Sequence, residues 1–266
     1  MNQNQKEILI SSLELQKEIF GDELFASKDN LKRKTEIVYE TPKSKIKKST
    51  AEKIELPKPA APSKVKEPQV EIFNAIKEPW SDSISLDELN KLICDCTKCD
   101  LHKGRNKFVF GSGNNNADVM VIGEGPGAEE DKQGLPFVGR AGQLLTDILK
   151  AINFSRDEVY IGNIVKCRPP ENRTPTPIEM ETCIPYLKKQ IELIKPKAIL
   201  CLGLTAAQGL LKKKDSLINM RGKVFLYEGI KVMITYHPAA LLRNPNWKKG
   251  CWEDVKQFRK MYDELP

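Results

Sequence analysis

The chain has 266 residues, of which 40% are hydrophobic, 30% charged and 7% aromatic, a balance that lets a soluble protein bury a core as one large domain or two small ones. No apolar run reaches the roughly 18 residues a membrane helix needs, and the opening MNQNQKEILISSLELQKEIF carries Glu7, Glu14 and Glu18, unlike a secretory signal or an acid-poor transit peptide. Membrane and secreted classes are set aside, the cytoplasm is the expected compartment, and seven cysteines in that compartment point to metal, catalysis or core packing rather than disulfides.

Near the N-terminus, Ile8, Leu9, Leu13, Leu15, Ile19 and Phe20 recur at roughly helical spacing. They predict a short amphipathic helix that docks on a protein partner, unknown from sequence, or on the main domain. The formal charge of +7 is local: Lys32 to Lys66 hold eleven Lys/Arg and four Glu, and the rest of the chain is neutral. PKSKIKKSTAEKIELPKPAAPSKVKEP in that region is too poor in apolar residues to offset chain entropy and reads as a disordered linker. Its role is either a solvated tether or a loose, salt-sensitive attraction to phosphate backbones. Residues 1–82 are thus an N-terminal extension and residues 83–266 the globular domain.

That domain opens on SISLDELNKLICDC, a helix with Ser85 as N-cap and acids in its first turn. Four apolar runs follow: Ala117–Gly123, Val159–Val165, Ala198–Gly203 and Val232–Tyr236. Helical patterns over Ala141–Ile152 and Ile178–Ile194 separate the first three, and a third, Thr205–Lys213, follows them. Unbroken apolar strands alternating with helices predict an α/β fold of three layers, α/β/α, around a mainly parallel four-stranded sheet. KVFLYEGIKVMITY predicts a hairpin turning at Glu228-Gly229, which supplies an antiparallel companion. No internal repeat is present.

Ligands bind at the carboxyl ends of such strands, so the residues after each run carry the functional reading. GEGPGAEEDKQGLPFVGRAG follows the first, Asn163 and KCRPPENR end the second, and HPAALLRNP follows the fourth. Gly123 to Ala128 formally match a dinucleotide fingerprint. However, Pro126 stands where a phosphate-cradling amide is wanted, and no isolated acid ends the second strand. A plain Gly-rich turn leaves Glu124, Glu129, Glu130, Asp131 and Phe137 unexplained. Among the cysteines, Cys96 and Cys99 form a C-x-x-C pair that Cys167 and Cys183 can complete. One pair with two spaced singles suits a buried cluster better than a zinc ribbon, but zinc stays open on spacing alone. Cys94 is an alternative to Cys96, Cys201 reads as core, and Cys251 has no evident partner.

CTKCDLHKGRNKFVFGSG, GEGPGAEEDKQGLPFVGRAGQLL, YIGNIVKCRPPENRTPTPIEMETCIPYL and YHPAALLRNP together resemble the family 4, iron–sulfur uracil-DNA glycosylases, a type also labelled phage DNA polymerase-related. The resemblance spans about Leu92 to Leu265. It implies removal of uracil from DNA in base excision repair and a four-iron, [4Fe-4S] cluster on Cys96, Cys99, Cys167 and Cys183. It further implies a uracil pocket of Glu124, Gly125, Phe137, Asn163 and His237. On that reading Phe137 stacks on the flipped base, Asn163 matches N3–H and O4, and His237 donates to O2. The wider superfamily often has an acidic or amide residue at the position of Gly125, so the general base is open. Glu130 is the candidate for polarising water or stabilising the sugar cation, beside a solvated-loop role. Leu241 reads as the wedge that fills the vacated stack, with Arg243 and Lys248 on phosphates. The expected partner is uracil-containing DNA, with the protein a monomer and no lyase step, for no motif sets a lysine for a Schiff base. The alternative is a non-catalytic DNA-binding or polymerase-associated module that keeps the fold and cluster.

Overall fold

The computed structural model describes Glu14, residues 16–19 and residues 78–266. The Lys/Pro-rich segment read as a linker lies outside the described residues, as does most of the N-terminal amphipathic stretch. The part of that stretch that is described is helical and rests on the domain itself: Ile19 is buried in the apolar core, and Gln16 Nε2 donates to the Ala151 carbonyl at 2.8 Å.

Helix α1 (Leu86–Ile93) starts where its capping chemistry dictates. Ser85 Oγ accepts from the Glu88 N–H at 3.2 Å, and the Glu88 carboxylate accepts from the Ile84 N–H at 2.8 Å. Leu86, Leu89 and Ile93 then fall on one buried face. The sheet comprises β1 (Ser112–Gly113), β2 (Val119–Gly123), β3 (Tyr160–Asn163), β4 (Ala198–Leu202), β5 (Phe225–Tyr227) and β6 (Ile230–Thr235), in the order β1-β3-β2-β4-β6-β5. The inner four strands are parallel and both edge strands antiparallel. The other helices are α2 (Ala128–Gln133), α3 (Arg140–Ala151), α4 (Pro177–Ile194), α5 (Leu204–Leu211), α6 (Leu217–Met220), α7 (Pro238–Arg243) and α8 (Lys248–Asp263).

Alternation along the inner strands divides the core into two halves. Met120, Ile122, Tyr160, Ile199, Cys201, Val232 and Ile234 face the layer of α1, α4 and α5. Val119, Val121, Ile161, Leu200, Leu202 and Met233 face the layer of α3 and α8. Each fully buried aliphatic side chain contributes about 1.5–3 kcal/mol relative to exposure. Burial on both faces is why these strands are apolar at nearly every position, with Lys231, Thr235 and Asn163 as the polar ones. The architecture is the three-layer α/β/α expected. The hairpin also forms as read, with Glu228 (φ 48) and Gly229 (φ 86) both left-handed at its turn. The sheet extends past the four parallel strands through β5 and the two-residue β1, which pairs Ser112 with Ile161 and Gly113 with Tyr160.

Main-chain bonds carry the β2–β3 pairing past both strand ends, from the Ile164 N–H to the Gly123 carbonyl at 3.0 Å and from the Val165 N–H to the Glu124 carbonyl at 3.1 Å. The Gly-rich turn after β2 and the Cys-bearing loop after β3 therefore leave the sheet side by side.

Candidate active site

At the carboxyl ends of β2, β3 and β6 lies a cavity of about 400 Å³ whose walls include Glu124, Gly125, Glu130, Phe137, Asn163 and His237. Five of them are the residues that the resemblance implies for a base pocket, the sixth is Glu130, the candidate for the water or the sugar cation, and the fold brings them together from three strand ends. Asn163, the last residue of β3, is 2% exposed, and its side-chain Oδ1 is buried with no hydrogen-bond partner. An unmade bond of that kind costs about 1–3 kcal/mol, so a buried acceptor in a cavity wall marks a place where a ligand donor fits.

Gly123 makes room for that acceptor. A Cβ there would stand 2.5 Å from Asn163 Oδ1 and 2.7 Å from Phe137 Cζ. Gly123→Ala is expected to leave the sheet folded, as followed by circular dichroism. It should slow the base excision that the resemblance implies by about 100-fold, the scale set by an ångström of misplacement in a reacting site. Excision at the original rate would mean that the Asn163–Phe137 juxtaposition is not used.

Phe137 holds a left-handed backbone (φ 52), a strained setting for a bulky residue that persists only when its surroundings fix it. Three contacts do so. Glu130 Oε1 accepts from the N–H groups of Val138 at 2.8 Å and Gly139 at 2.9 Å, while the half-buried Arg156 donates to the Pro136 carbonyl at 2.6 Å. Gly142 also lets α3 pass directly under the turn, since a Cβ there would collide with the Phe137 carbonyl. Glu130 is therefore a brace of the Phe137 turn through one oxygen, while its other oxygen, Oε2, lies against Gly127. Asp131 anchors the same segment from behind, buried and accepting from the N–H of Asn106 at 2.9 Å and from the Asn106 side-chain amide.

His237 caps α7, with Nδ1 accepting from the Ala239 N–H at 3.2 Å. That bond requires a lone pair on Nδ1 and so leaves the ring proton on Nε2. Burial pushes the imidazole down to about 4, the Arg243 charge adds to that effect, and Glu130 opposes it. The ring is neutral near pH 7. It lies 5.6 Å from the Phe137 ring, centroid to centroid, at 33°.

One expectation changes. Leu241, read as a wedge, is fully enclosed in the core: α7 begins at Pro238, so Leu241 falls one turn on, on the same inward face. The exposed leucine of this helix is Leu242. At Gly125, where the general base is open, a Cβ would stand 2.7 Å from Val165 Cγ2, so a side chain there would require that methyl to move. Arg243 is exposed at the cavity mouth, and Lys248 is half-buried at the start of α8.

The cysteines gather elsewhere, in the core half next to α4. Cys167 and Cys183 are buried there, with Cys96 and Cys99 packed against them. All the described cysteines are free thiols. Burial pushes Cys183 up to about 12, Lys166 pulls it back, and Cys167 and Cys99 push it further. Burial also raises Cys99 and Cys167, and in both Cys96 adds to the effect. Cys96, Cys99 and Cys167 thus lie within electrostatic reach of one another, and Cys183 within reach of Cys99 and Cys167. Cys94 does not join them; its thiol turns back onto the Lys91 carbonyl. Among the described residues no group of three or more His, Cys, Asp or Glu side chains is placed to hold a single metal ion.

Residues that no motif announced tie the cysteines in place. Arg105 Nη1 donates to the Cys96 carbonyl at 2.6 Å and to Cys167 Sγ at 3.3 Å. Tyr186 Oη donates to Cys96 Sγ at 3.2 Å. The loop between Cys167 and Cys183 is closed by Arg173, whose guanidinium forks onto Glu179 at 2.6 and 2.8 Å; that pairing holds the Glu179 carboxyl down at about 2.

The model of the uracil DNA glycosylase superfamily matches residues 110–261. A type-4 uracil-DNA glycosylase of Thermotoga maritima is 48% identical over 181 residues, 65% of this chain and 94% of that one. One from Archaeoglobus fulgidus is 44% identical over 185 residues, 66% of this chain and 93% of that one. A DNA polymerase of Bacillus phage SP01 is 33% identical over 151 residues, covering 56% of this chain and 16% of the polymerase.

Proposed function

The chain belongs to the uracil DNA glycosylase superfamily, and from that premise we propose how its own residues carry out the reaction. It is a uracil-DNA glycosylase, a DNA-repair hydrolase that frees uracil and leaves an abasic site. The observation that carries the assignment of the pocket is the partnerless Oδ1 of Asn163. Uracil N3–H fills that vacancy, and the amide nitrogen of Asn163 donates to O4. Phe137, fixed by its braced turn, stacks on the flipped ring, a contact worth about 1–3 kcal/mol.

As the C1′–N1 bond breaks, its electron pair moves into the base and negative charge grows on O2. A neutral His237 has Nε2–H available to meet it. One donor of this kind is worth about 2.7–4 kcal/mol when it is preorganised and away from water. The sugar is left cationic at C1′, where water adds its oxygen and gives up a proton. Glu130 serves this step through Oε2, its Oε1 being committed to the turn. Arg243 at the cavity mouth is suited to a DNA phosphate, and Leu242 to the space left in the stack.

The four cysteines suit a [4Fe-4S] cluster: Cys99 and Cys167 each lie within electrostatic reach of Cys96, and Cys183 within reach of both Cys99 and Cys167. A bound cluster would crosslink the loop after α1, the loop after β3 and α4, and so hold Asn163 and the Pro-rich loop in register. Nothing in the chemistry at C1′ needs it. Among the described residues no helix is long and apolar enough to cross a membrane. The reading is of a cytoplasmic enzyme that acts as a monomer on uracil-containing DNA.

Incubating the purified full chain with uracil-bearing oligonucleotides, then cleaving abasic sites with alkali, tests the assignment; no uracil release from single- or double-stranded DNA would sink it. The pH profile tests His237. With its ring held neutral down to about 4 rather than 6.5, the single-turnover rate should show no loss from this residue between about pH 7.5 and 5.5. Folding stability should behave differently. The unfolded chain takes up the His237 proton near 6.5 and the folded one only near 4, so stability falls as pH drops through that window. A rate-limiting ionisation near 6.5 that disappears in His237→Asn would overturn the neutral-histidine reading.

A further inference from the structure

Lys166 is fully buried, three residues after Asn163 and one before Cys167. Its Nζ donates to the Asn163 main-chain carbonyl at 3.0 Å and to Gln190 Oε1 at 2.6 Å. Both acceptors are neutral. The Gln190 amide is itself committed, donating to the Phe110 carbonyl at 3.0 Å and to Tyr160 Oη at 3.2 Å. No carboxylate among the described residues pairs with the Lys166 ammonium; the group placed to offset it is Cys183, whose sulfur receives the Lys166 main-chain N–H and carries a charge only as a thiolate. An ammonium withdrawn from water with neutral acceptors alone is strongly disfavoured. A core that retains one therefore has a negative charge to set against it.

We propose that Lys166 is the buried counter-cation of the cysteine-held cluster, and that its bond to the Asn163 carbonyl links the cluster's shell to the residue that reads the base. The inference rests on the cluster reading above. Four thiolates around a [4Fe-4S] core carry more negative charge than the core carries positive, and the surplus sits in a low-dielectric pocket where one fixed cation is felt strongly. A bare apolar core would have no use for a lysine here; leucine or methionine would fill the volume without the desolvation cost. The link to Asn163 follows from chain geometry, for the same side chain touches the end of β3 and the shell of Cys183.

The test compares K166M, K166Q and K166R as full-length, anaerobically purified proteins. Iron and sulfide content of the wild-type chain is measured first, and a chain without cluster ends both the cluster reading and this inference. With a loaded wild type, K166M and K166Q should surrender iron to a chelator about tenfold faster or more, the scale seen for groups that support metal ligands. Their cluster should also be harder to reduce, with a more negative midpoint potential by spectroelectrochemistry, because a nearby positive charge favours the reduced form. K166R keeps the charge and should stay close to wild type in both readouts. Neutral variants with wild-type iron release and potential would overturn the proposal, as would a K166R as impaired as K166M, which would point to packing alone. Should neither neutral variant accumulate in soluble form, K166R decides: retained iron supports the counter-charge, and insolubility overturns it.

Discussion

Asn163→Asp is expected to cut single-turnover uracil excision by about 10²–10³-fold, the range for losing one preorganised polar contact in an active site, with iron content and far-UV spectrum unchanged. The substitution is nearly isosteric, so the cavity between Gly123, Phe137 and His237 keeps its shape. What changes is the pattern of donors. The asparagine amide offers one acceptor to N3–H and one donor to O4, whereas an ionised aspartate offers only acceptors and faces the O4 lone pairs with negative charge. At 2% exposure for Asn163, an aspartate there would be driven toward its protonated form by burial. A protonated aspartate can carry its O–H on either oxygen, and with the O–H on the oxygen that faces N3 it also matches cytosine, which presents an N3 acceptor and an N4 amine. Residual activity should therefore shift from uracil toward cytosine. Thymine must be refused by crowding at its methyl group, for which the wall from Gly125 to Phe137 is suited, and that refusal should survive the change. A folded, iron-loaded Asn163→Asp enzyme with the original rate on uracil would mean that another residue reads the base.

The features legible in the sequence are those whose physical signal is local. The inner strands are apolar at nearly every position because both faces are covered, and Ser85 and the Glu228-Gly229 turn carry their own capping and turn chemistry. The pocket residues stand out because they follow strand ends, where chain order alone brings them together. Features that depend on what lies across space are hidden. Arg105 and Tyr186 reach cysteines remote in the chain, and nothing in KGRNKF or PYLKKQ announces it. Lys166 sits in a run that looks like the edge of a loop, yet it is fully buried. Leu241 shows a different limit. Its motif position suggests exposure, but the register of α7 turns it inward and presents Leu242 instead. Helix α8 carries a signal that is easily passed over: Cys251, Trp252, Val255, Phe258 and Met261 recur at helical spacing within a strongly charged segment.

Replacing Cys167 or Cys183 with serine is expected to abolish iron binding and most soluble protein together, whereas Cys94→Ser should keep both. The contrast follows from where the thiols point. Cys94 turns back onto the Lys91 carbonyl, and a hydroxyl can make the same bond. Cys167 and Cys183 are buried, and their protons are held tightly, Cys183 up to about 12. Such thiols become thiolates only when metal cations displace the protons, so binding and local folding form one equilibrium. A serine hydroxyl at either place cannot be displaced in that way near neutral pH. It would leave a polar group in the core, with the Arg105 guanidinium facing a lost sulfur in the case of Cys167. The loop between these two cysteines carries Pro169, Asn172, Arg173 and Thr174 into the cavity wall, so losing the crosslink should raise KM for uracil-containing DNA before it lowers kcat in any fraction that stays folded. Iron, zinc and acid-labile sulfide are to be quantified in all four proteins from cells grown with ample iron. Stoichiometric zinc without iron in the wild type would replace the cluster with a single-ion site, and iron at wild-type level in Cys183→Ser would remove that residue from the ligand set.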